Sequence, residues 1–555
     1  MTLFDAVLSG IGDKLGASDF ALEIPKEKSF GDFAANVAMR IAKKDGKNPK
    51  DVAKELIPKI KEIDFVEDAD MAGPGFVNIK IKNEFIIKTA NEERVEKTEK
   101  PETVDMDYGS YNVAKRMHIG HLRGSIIGDT MRRVAKFLGH RPVSYNYIGD
   151  WGRPIATIIA TIKREFPNDW AKPDFKIDAE KLNDYYPLGA ELAEKDAGFL
   201  KEVLEIKKEF QDGHAEYFAL YEKFLEISLR EMDAAVKRLG MLPFDNNLGE
   251  RNASKYLDAV EKILRDKNML AESDGAIVVP LKNNGDNAPM PPMMFRDSRG
   301  ADTYDSTDLA TVYYRKITDN PDRLLYMSDF RQNLHFKQLF RASELAGLFS
   351  SDKMESLGYG SINGADGKPF KTREGKAAAL SDVMDMVDAA ARARVKESGK
   401  TLPEETIKMI ALAALKFNDL MHDVKSNYTF DPDAVTSFEG RTGPYVLYAA
   451  VRLNSALKKS EISNAAHKIS DIANDYERGL LMKTLELPNR VRTAWAKRAP
   501  DILANYAYDL AQTANGFYHN CPIKDDKNRM AIAHKASKAL ETCLDLMGLK
   551  VPDEM

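Results

Sequence analysis

The spacing of apolar residues changes character along the chain and divides it into three zones. Up to about residue 98 both periods occur: Phe33, Val37 and Ile41 recur at helical spacing, while GFVNIKIK alternates like a half-buried strand. Asn48 before Pro49 reads as an N-cap with proline at the first helical position, opening the helix DVAKELIPKI. This zone (1–98) is expected to be a small α+β module, with the charged stretch ANEERVEKTEKPE as a linker candidate. From 99 to 375 the short strand-like runs TVDMD, PVSYNYIGD, AIVVPL and RLLYMSD alternate with helical segments, which predicts a parallel α/β sheet. An almost wholly helical insertion at about 155–240 includes FLKEVLEIKKEF and YEKFLEISLREMDAAVKRLG, and NNGDNAPMPP reads as a loop. From 376 to 555 the apolar stripes of KMIALAALKFNDLMHDV, GPYVLYAAVRLNSALKK and AIAHKASKALETCLDLMG keep a period near 3.6, so a helical bundle follows.

Within the middle zone, one junction carries candidate chemistry. TVDMD is a strand, Tyr108 to Met117 a loop, and Leu122, Ile126, Val134 and Leu138 mark the face of a helix ending at Gly139. His118 and His121 therefore sit at a helix N-terminus, where the macrodipole and free backbone N–H groups favour anions. The imidazoles can add donors to phosphate oxygens, and Gly120 lacks the Cβ that would block a flat ligand. Lys115 and Arg116 bring positive charge to the same loop. A second cluster, GADGKPFKTREG, holds Lys368, Lys371 and Arg373 in a glycine-flanked loop suited to closing over a polyphosphate. Alone, the first could be two satisfied histidines and the second a solvated basic turn; together they point to a nucleotide.

Composition narrows the setting. A chain of 555 residues is too long for one core, so about three domains are expected. Hydrophobic content of 43% and charged content of 30% are those of a soluble globular protein, and no apolar run is long enough for a bilayer. The start, MTLFDAVLSG, has no basic leader and no long apolar stretch, so the expected location is cytoplasmic. Two cysteines, Cys521 and Cys543, are too few for a disulfide framework or a zinc site and read as small packing residues. A net charge of −5 argues against a globally basic nucleic-acid binder. From Lys400 to the end, 21 Lys plus Arg balance 20 Asp plus Glu, so composition alone marks no nucleic-acid domain there.

Taken in order, YNVAKRMHIGHLRGSIIGD, YIGDWG, ESDGAIVVPL, TYDSTDLA, RQNLHFKQLF, GKPFKTREG and FEGRTGPYVLYAAVR resemble the arginyl-tRNA synthetases, across almost the whole chain. The resemblance implies a class I Rossmann-like catalytic domain on a parallel sheet, between an N-terminal α+β tRNA-binding module and a C-terminal all-α anticodon-binding bundle. It implies activation of L-arginine by ATP, carried with Mg2+, and transfer of the arginyl group to the 3′ end of tRNA. No tightly bound metal, no membrane and a monomer are expected. By resemblance, His118 and His121 hold phosphates, Gly120 lies against the adenine and His335 bounds the nucleotide site. Lys368 and Lys371 match the two lysines of the family's KMSKS-type loop, here KPFKT, and Lys115 shares the stabilisation of phosphate charge. The arginine pocket is expected to comprise Asp107, Asn112, Tyr304, Asp308 and Gln338. In the bundle, Arg441 and Arg452 are candidates for tRNA phosphates, and Tyr445 and Tyr448 for stacking on a base; the same residues at this spacing also suit a core with a snorkelling arginine. Trp151 is expected to be a packing residue. A non-catalytic relative would have lost the histidine pair, the lysine loop or the pocket aspartates, and all are present.

Overall fold

The computed structural model describes residues 2–25, 27–92, 95–283, 285–286, 289–370, 378–459, 467–524 and 526–555. Contacts separate two compact units, one of Thr98–Ser437 with Leu546–Leu549, the other of Met1–Lys97, Phe438–Asp545 and Lys550–Met555. The helical zone read as starting at 376 is thus divided: its first two helices, Leu380–Glu397 and Glu404–Leu420, belong to the larger unit. A buried ion pair fastens them there, since Arg123 Nε lies 3.2 Å from Asp419 on the second of these helices and both side chains are almost wholly shielded.

The larger unit is built on five strands in the order Met354–Tyr359, Arg323–Asp329, Thr103–Asp107, Arg141–Ile148 and Asn246–Gly249. Every neighbouring pair is parallel. The earliest of these five in the chain is the central one, and Val104 to Asp107 are all buried, as expected of a strand covered on both faces. Both of its neighbours follow it in the chain, the next strands building outward on one side and the later ones on the other, so the strand order reverses there. In open α/β sheets the carboxyl ends of strands at such a reversal form the binding crevice. Asp107 ends the central strand at that place, and the loop after it leads into the helix Gly120–Leu138, closed by Gly139 in the left-handed region. The helical insertion contains Arg153–Glu165, Ala179–Lys195, Ala197–Gln211 and Ala215–Arg238.

One strand lies elsewhere than expected. Ala276–Val279, from AIVVPL, is antiparallel to Ala271–Ser273 and to Met293–Arg296 in a separate three-stranded sheet. The cause is local: Asp274 and Gly275 both have positive φ (50° and 77°), giving a two-residue hairpin turn between paired Ser273 and Ala276. The parallel sheet takes Asn246–Gly249 and Met354–Tyr359 instead.

In the smaller unit, four strands form an antiparallel sheet beside the helices Leu3–Leu15, Val37–Asp45 and Pro49–Lys61. Asn48 caps the last of these by accepting from Lys50 N, with Pro49 at the first helical position. Phe33 is on the strand Phe33–Ala35 rather than on the helix with Val37 and Ile41, because the chain turns helical only after Asn36. Arg478, from the helix Asp475–Thr484, makes a bidentate pair with Asp32 at 2.6 and 2.8 Å and so joins this module to the C-terminal helices within one unit. Both cysteines are free and buried. No described helix is long and apolar enough to cross a membrane.

Candidate active site

At the mouth of Gly120–Leu138 the backbone N–H groups are already engaged. Those of His121 and Leu122 close tight turns onto His118 O and Ile119 O, at 2.9 and 3.0 Å, and that of Ile119 reaches Ala378 O at 3.0 Å. Those of His118 and Gly120 donate to imidazole nitrogens: His118 N to His121 Nδ1 and Gly120 N to His118 Nδ1, each at 3.1 Å. The expected free N–H cluster is therefore absent from this stretch, and any hydrogen-bond donation to a ligand here falls to the side chains. With Nδ1 accepting in both rings, the proton of each neutral imidazole sits on Nε2. The rings lie 4.0 Å apart, tilted by 30°. Burial, then the nearby His118 and Lys115, pulls His121 down to about 3, and burial also lowers His118. Two uncharged donors thus stand side by side, and a Cβ on Gly120 would come within 2.8 Å of the His118 ring.

The other wall is acidic. Thr303 caps the helix Tyr304–Thr318 through a capping box with Ser306, which sets Asp305 and Asp308 one turn apart at its start. His335, on Asn333–Ala346, bridges them, with Nδ1 2.9 Å from Asp305 Oδ1 and Nε2 2.7 Å from Asp308 Oδ2. Burial opposes a charge on His335, but the two carboxylates carry it up to about 9, so the ring is a cation. His335, expected to bound the nucleotide site, is thus held by these two acids, with the largely exposed Tyr304 ring 5.3 Å away. Asp107 accepts from Arg315 Nη2 at 2.6 Å, so one of its oxygens is taken by the chain's own guanidinium, whereas Oδ1 is buried without a partner. Burial raises Asp107 although Arg315 pulls it down; Asp308 is among the charges that raise it.

Two further groups at this wall escaped the sequence reading. Glu250, at the head of Glu250–Ser254, is raised to about 8 by burial and then by the Asp308 and Asp150 charges. Tyr147 is half-buried, its shielded hydroxyl lacks a partner, and burial followed by Asp308 and Glu250 raises it well above the usual phenol range. The available signal was Glu250 following a Leu-Gly pair at the end of a strand, but NNLG has too little β character to be recognised as one.

The remaining candidates are dispersed around these walls. Asn112 forms an isolated bridge with Gly149 after the central strand. Gln338 donates to Pro291 O and Pro292 O, at 3.0 and 3.2 Å, and so holds the loop before Met293–Arg296. Lys115 is exposed, with Nζ 6.0 Å from the Tyr186 ring centroid. Lys368 is exposed in the turn after Ile362–Asn363, its backbone N–H on Asp366. Lys371 and Arg373 lie outside the described residues. Trp151 packs against Phe210 and Phe218 of the insertion, and Asp150 accepts from Tyr221 Oη at 2.6 Å, a structural pairing.

In the smaller unit, Arg441, Tyr445, Tyr448 and Arg452 meet the helix Asp501–Asn520. Arg452 donates to Tyr448 Oη at 2.9 Å and to Asn515 at 3.3 Å, with its guanidinium 4.6 and 5.1 Å from the Tyr448 and Tyr518 rings. Arg441 donates to Asn505 and lies 5.0 Å from the Tyr508 ring, while Tyr445 Oη accepts from Asn515. Tyr518 is 38% exposed, so this arginine–aromatic cluster reaches the surface.

A parallel sheet with a histidine pair at the mouth of its first helix is the arrangement of a class I aminoacyl-tRNA synthetase, and residues 84–432 match the family model for tRNA synthetases class I (R), catalytic domain. Residues 2–81 match the arginyl tRNA synthetase N terminal domain and 446–555 the DALR anticodon binding domain. The chain is 35% identical to the arginine–tRNA ligase of Alkaliphilus oremlandii, with 94% of each chain covered. It is 37% identical to that of Hyphomonas neptunium, over 95% of this chain and 94% of the relative. The arginyl-tRNA synthetase structure from Thermus thermophilus shares the fold at a TM-score of 0.83 and 23% identity, with 100% of both chains covered. The chain belongs to the arginyl-tRNA synthetase family.

Proposed function

We propose the following division of labour in this arginine–tRNA ligase. ATP, entering as its magnesium complex, lies across the mouth of Gly120–Leu138, where the Nε2–H groups of His118 and His121 donate to phosphate oxygens. As neutral donors they stabilise charge that grows in the transition state without fixing the ground-state triphosphate as strongly as cations would. Lys115, Lys368 and Lys371 supply the cationic part, and Gly120 leaves room for the adenine. L-Arginine places its guanidinium between Tyr304 and Asp308, with Glu250 as a further acid, and its α-amino group at Asp107 Oδ1, Asn112 and Gln338. The arginine carboxylate then attacks the α-phosphorus, pyrophosphate leaves, and the arginyl group passes to a hydroxyl of the tRNA 3′-terminal adenosine as AMP departs. The protein contributes position and electrostatics to both steps.

The observation that carries this reading is the concentration of Asp107, Glu250, Asp305 and Asp308 around one buried wall at the carboxyl end of the central strand. A planar five-donor cation is the amino-acid side chain that such a wall recognises best. Lysine and citrulline each leave part of it unpaired, so discrimination needs no separate hydrolytic site. The Arg441–Tyr445–Tyr448–Arg452 cluster is assigned to tRNA, with the N-terminal module gripping the tRNA elsewhere. Composition supports a cytoplasmic protein, and the resemblance supports a monomer.

Asp308→Asn tests the pocket. It keeps the shape but removes the counter-charge, and arginine kcat/KM in pyrophosphate exchange should fall by about 2–4 kcal/mol, as when one side of a desolvated charge pair is removed. The KM for ATP should barely move. Arginine activation within about threefold of wild type, under ~1 kcal/mol, refutes the assignment.

A further inference from the structure

We propose that His335 is the resident counter-cation of the arginine pocket, and that arginine displaces it from Asp305 and Asp308 with release of its proton to solvent. The inference rests on the pocket assignment above and adds a proton to the binding equilibrium.

The geometry is that of an occupied site. Both imidazole nitrogens are used, each on a different carboxylate, at 2.9 and 2.7 Å, and the ring is mostly shielded with the two acids. Asp305 Oδ2 is also held by Met294 N at 3.2 Å, so Asp305 is fixed from a second side and does not follow the ligand. A doubly bridging His335 places a positive charge between the acids that are to meet the guanidinium. Arginine brings another cation to the same carboxylates. Two cations facing each other in a shielded pocket repel, and only one of them can discharge near neutral pH: guanidinium stays protonated, whereas imidazole does not need to. Losing its carboxylate bridge returns His335 towards the ordinary range around 6.5 or below, from the value near 9 that the bridge maintains.

The groups that could take part in the same titration are few. Tyr304, Asp305 and Asp308 face His335 from the helix Tyr304–Thr318, and Asp305 and Asp308 are the charges that raise it. Behind Asp308 stand Glu250, Asp107, Tyr147 and Tyr326. Asp107 already faces Arg315. Glu250 is the rival proton source beside Asp308, since it too holds a proton at neutral pH and would lose it beside a guanidinium; Asp105, which also keeps its proton, stands by Arg315 and Asp319 instead.

The direction follows from linkage: if binding releases a proton, affinity rises with pH while the free protein still holds that proton. Arginine should therefore bind up to about tenfold more tightly at pH 8 than at pH 7, with the rise levelling off only above about pH 9. Calorimetry of L-arginine into the full-length protein, at pH 7 in buffers of different ionisation enthalpy, counts the protons directly. Free arginine keeps both its amino and guanidinium protons at that pH, so a released proton comes from the protein. The KM for arginine in pyrophosphate exchange with tRNA present gives the same slope independently.

About one proton released by the wild type, abolished in His335→Gln and retained in Glu250→Gln, is the expected result. His335→Gln should also lose the pH dependence of arginine affinity; a merely structural histidine would weaken binding and leave the slope in place. Arginine binding with no buffer-dependent heat, or proton release surviving in His335→Gln, overturns the proposal. If instead Asp308→Asn binds arginine like the wild type, the pocket assignment itself fails. The wild-type proton count stands without any variant, so a poorly folding His335→Gln does not protect the idea.

Discussion

Two acids lie on the same face of the central strand, Asp105 and Asp107, and one buried arginine serves both. Arg315 is wholly shielded and donates to Asp107 at 2.6 Å, while neither oxygen of Asp105 has a hydrogen-bond partner. Burial raises Asp105 to about 8, although Arg315 pulls it the other way. The folded protein therefore keeps the Asp105 proton at neutral pH, whereas the unfolded chain loses it near 3.8. An acid whose folded pKa lies above its unfolded value loses stability as pH rises between the two. At about 1.4 kcal/mol per pH unit, the step from pH 5 to pH 8 removes about 4 kcal/mol through this group. Asp105→Asn keeps the shape and removes the titration. Its Tm relative to wild type should rise by roughly 4–8 °C between pH 5 and pH 8, for a unit of several hundred residues that shifts by about 1–2 °C per kcal/mol. Asp107→Asn should behave oppositely, costing about 3 kcal/mol already at pH 5, because it strands Arg315. Thermal unfolding followed by tryptophan fluorescence across this pH range measures both. If Asp105→Asn shifts Tm equally at pH 5 and pH 8, Asp105 is ionised in the fold and the reasoning is wrong.

His121→Ala should lower kcat by about 2–4 kcal/mol with a smaller change in the KM for ATP, because a neutral donor acts mainly on developing charge. Since His121 is held far below neutrality, the wild-type kcat profile should show no ionisation of this residue between pH 5.5 and 8; an equal rise in KM with kcat unchanged would mark a ground-state contact only. Arg452→Gln should raise the KM for tRNA by about 1–2 kcal/mol and flatten its salt dependence, while arginine and ATP parameters in pyrophosphate exchange stay put. Unchanged tRNA kinetics would make the cluster around Tyr448 structural.

The helices and the order of motifs were legible because their signals are local. Asn48–Pro49, the stripe from Leu122 to Leu138 and the glycine stop at 139 each act within one or two turns. The Asp274–Gly275 hairpin was equally local, yet AIVVPL was read for its apolar run rather than its turn, and so was placed in the wrong sheet. Pairings across long stretches of sequence were not legible. Nothing in TVDMD shows that Arg315 completes Asp107, and nothing in RQNLHFKQLF shows that His335 bridges two carboxylates of TYDSTDLA. Residue types identified candidates; which charges neutralise each other depends on the sheet order that brings distant segments to one crevice.

The same distinction bears on how the proposed phosphate site is assembled. Because every backbone N–H from His118 to Leu122 has a partner inside the protein, the loop is held in one shape before any ligand arrives. Part of that hold comes from Ala378 and Leu380, which pair with Ile119 and Met117 through Ile119 N to Ala378 O and Leu380 N to Met117 O. On the other side of the lysine segment, Phe370 N is bonded to Ile362 O and its ring lies 5.6 Å from Phe430. The described chain resumes at Ala378, already bonded to the histidine loop. Two backbone hydrogen bonds thus join the start of the helix Leu380–Glu397 directly to the histidine loop, without a relay of side chains.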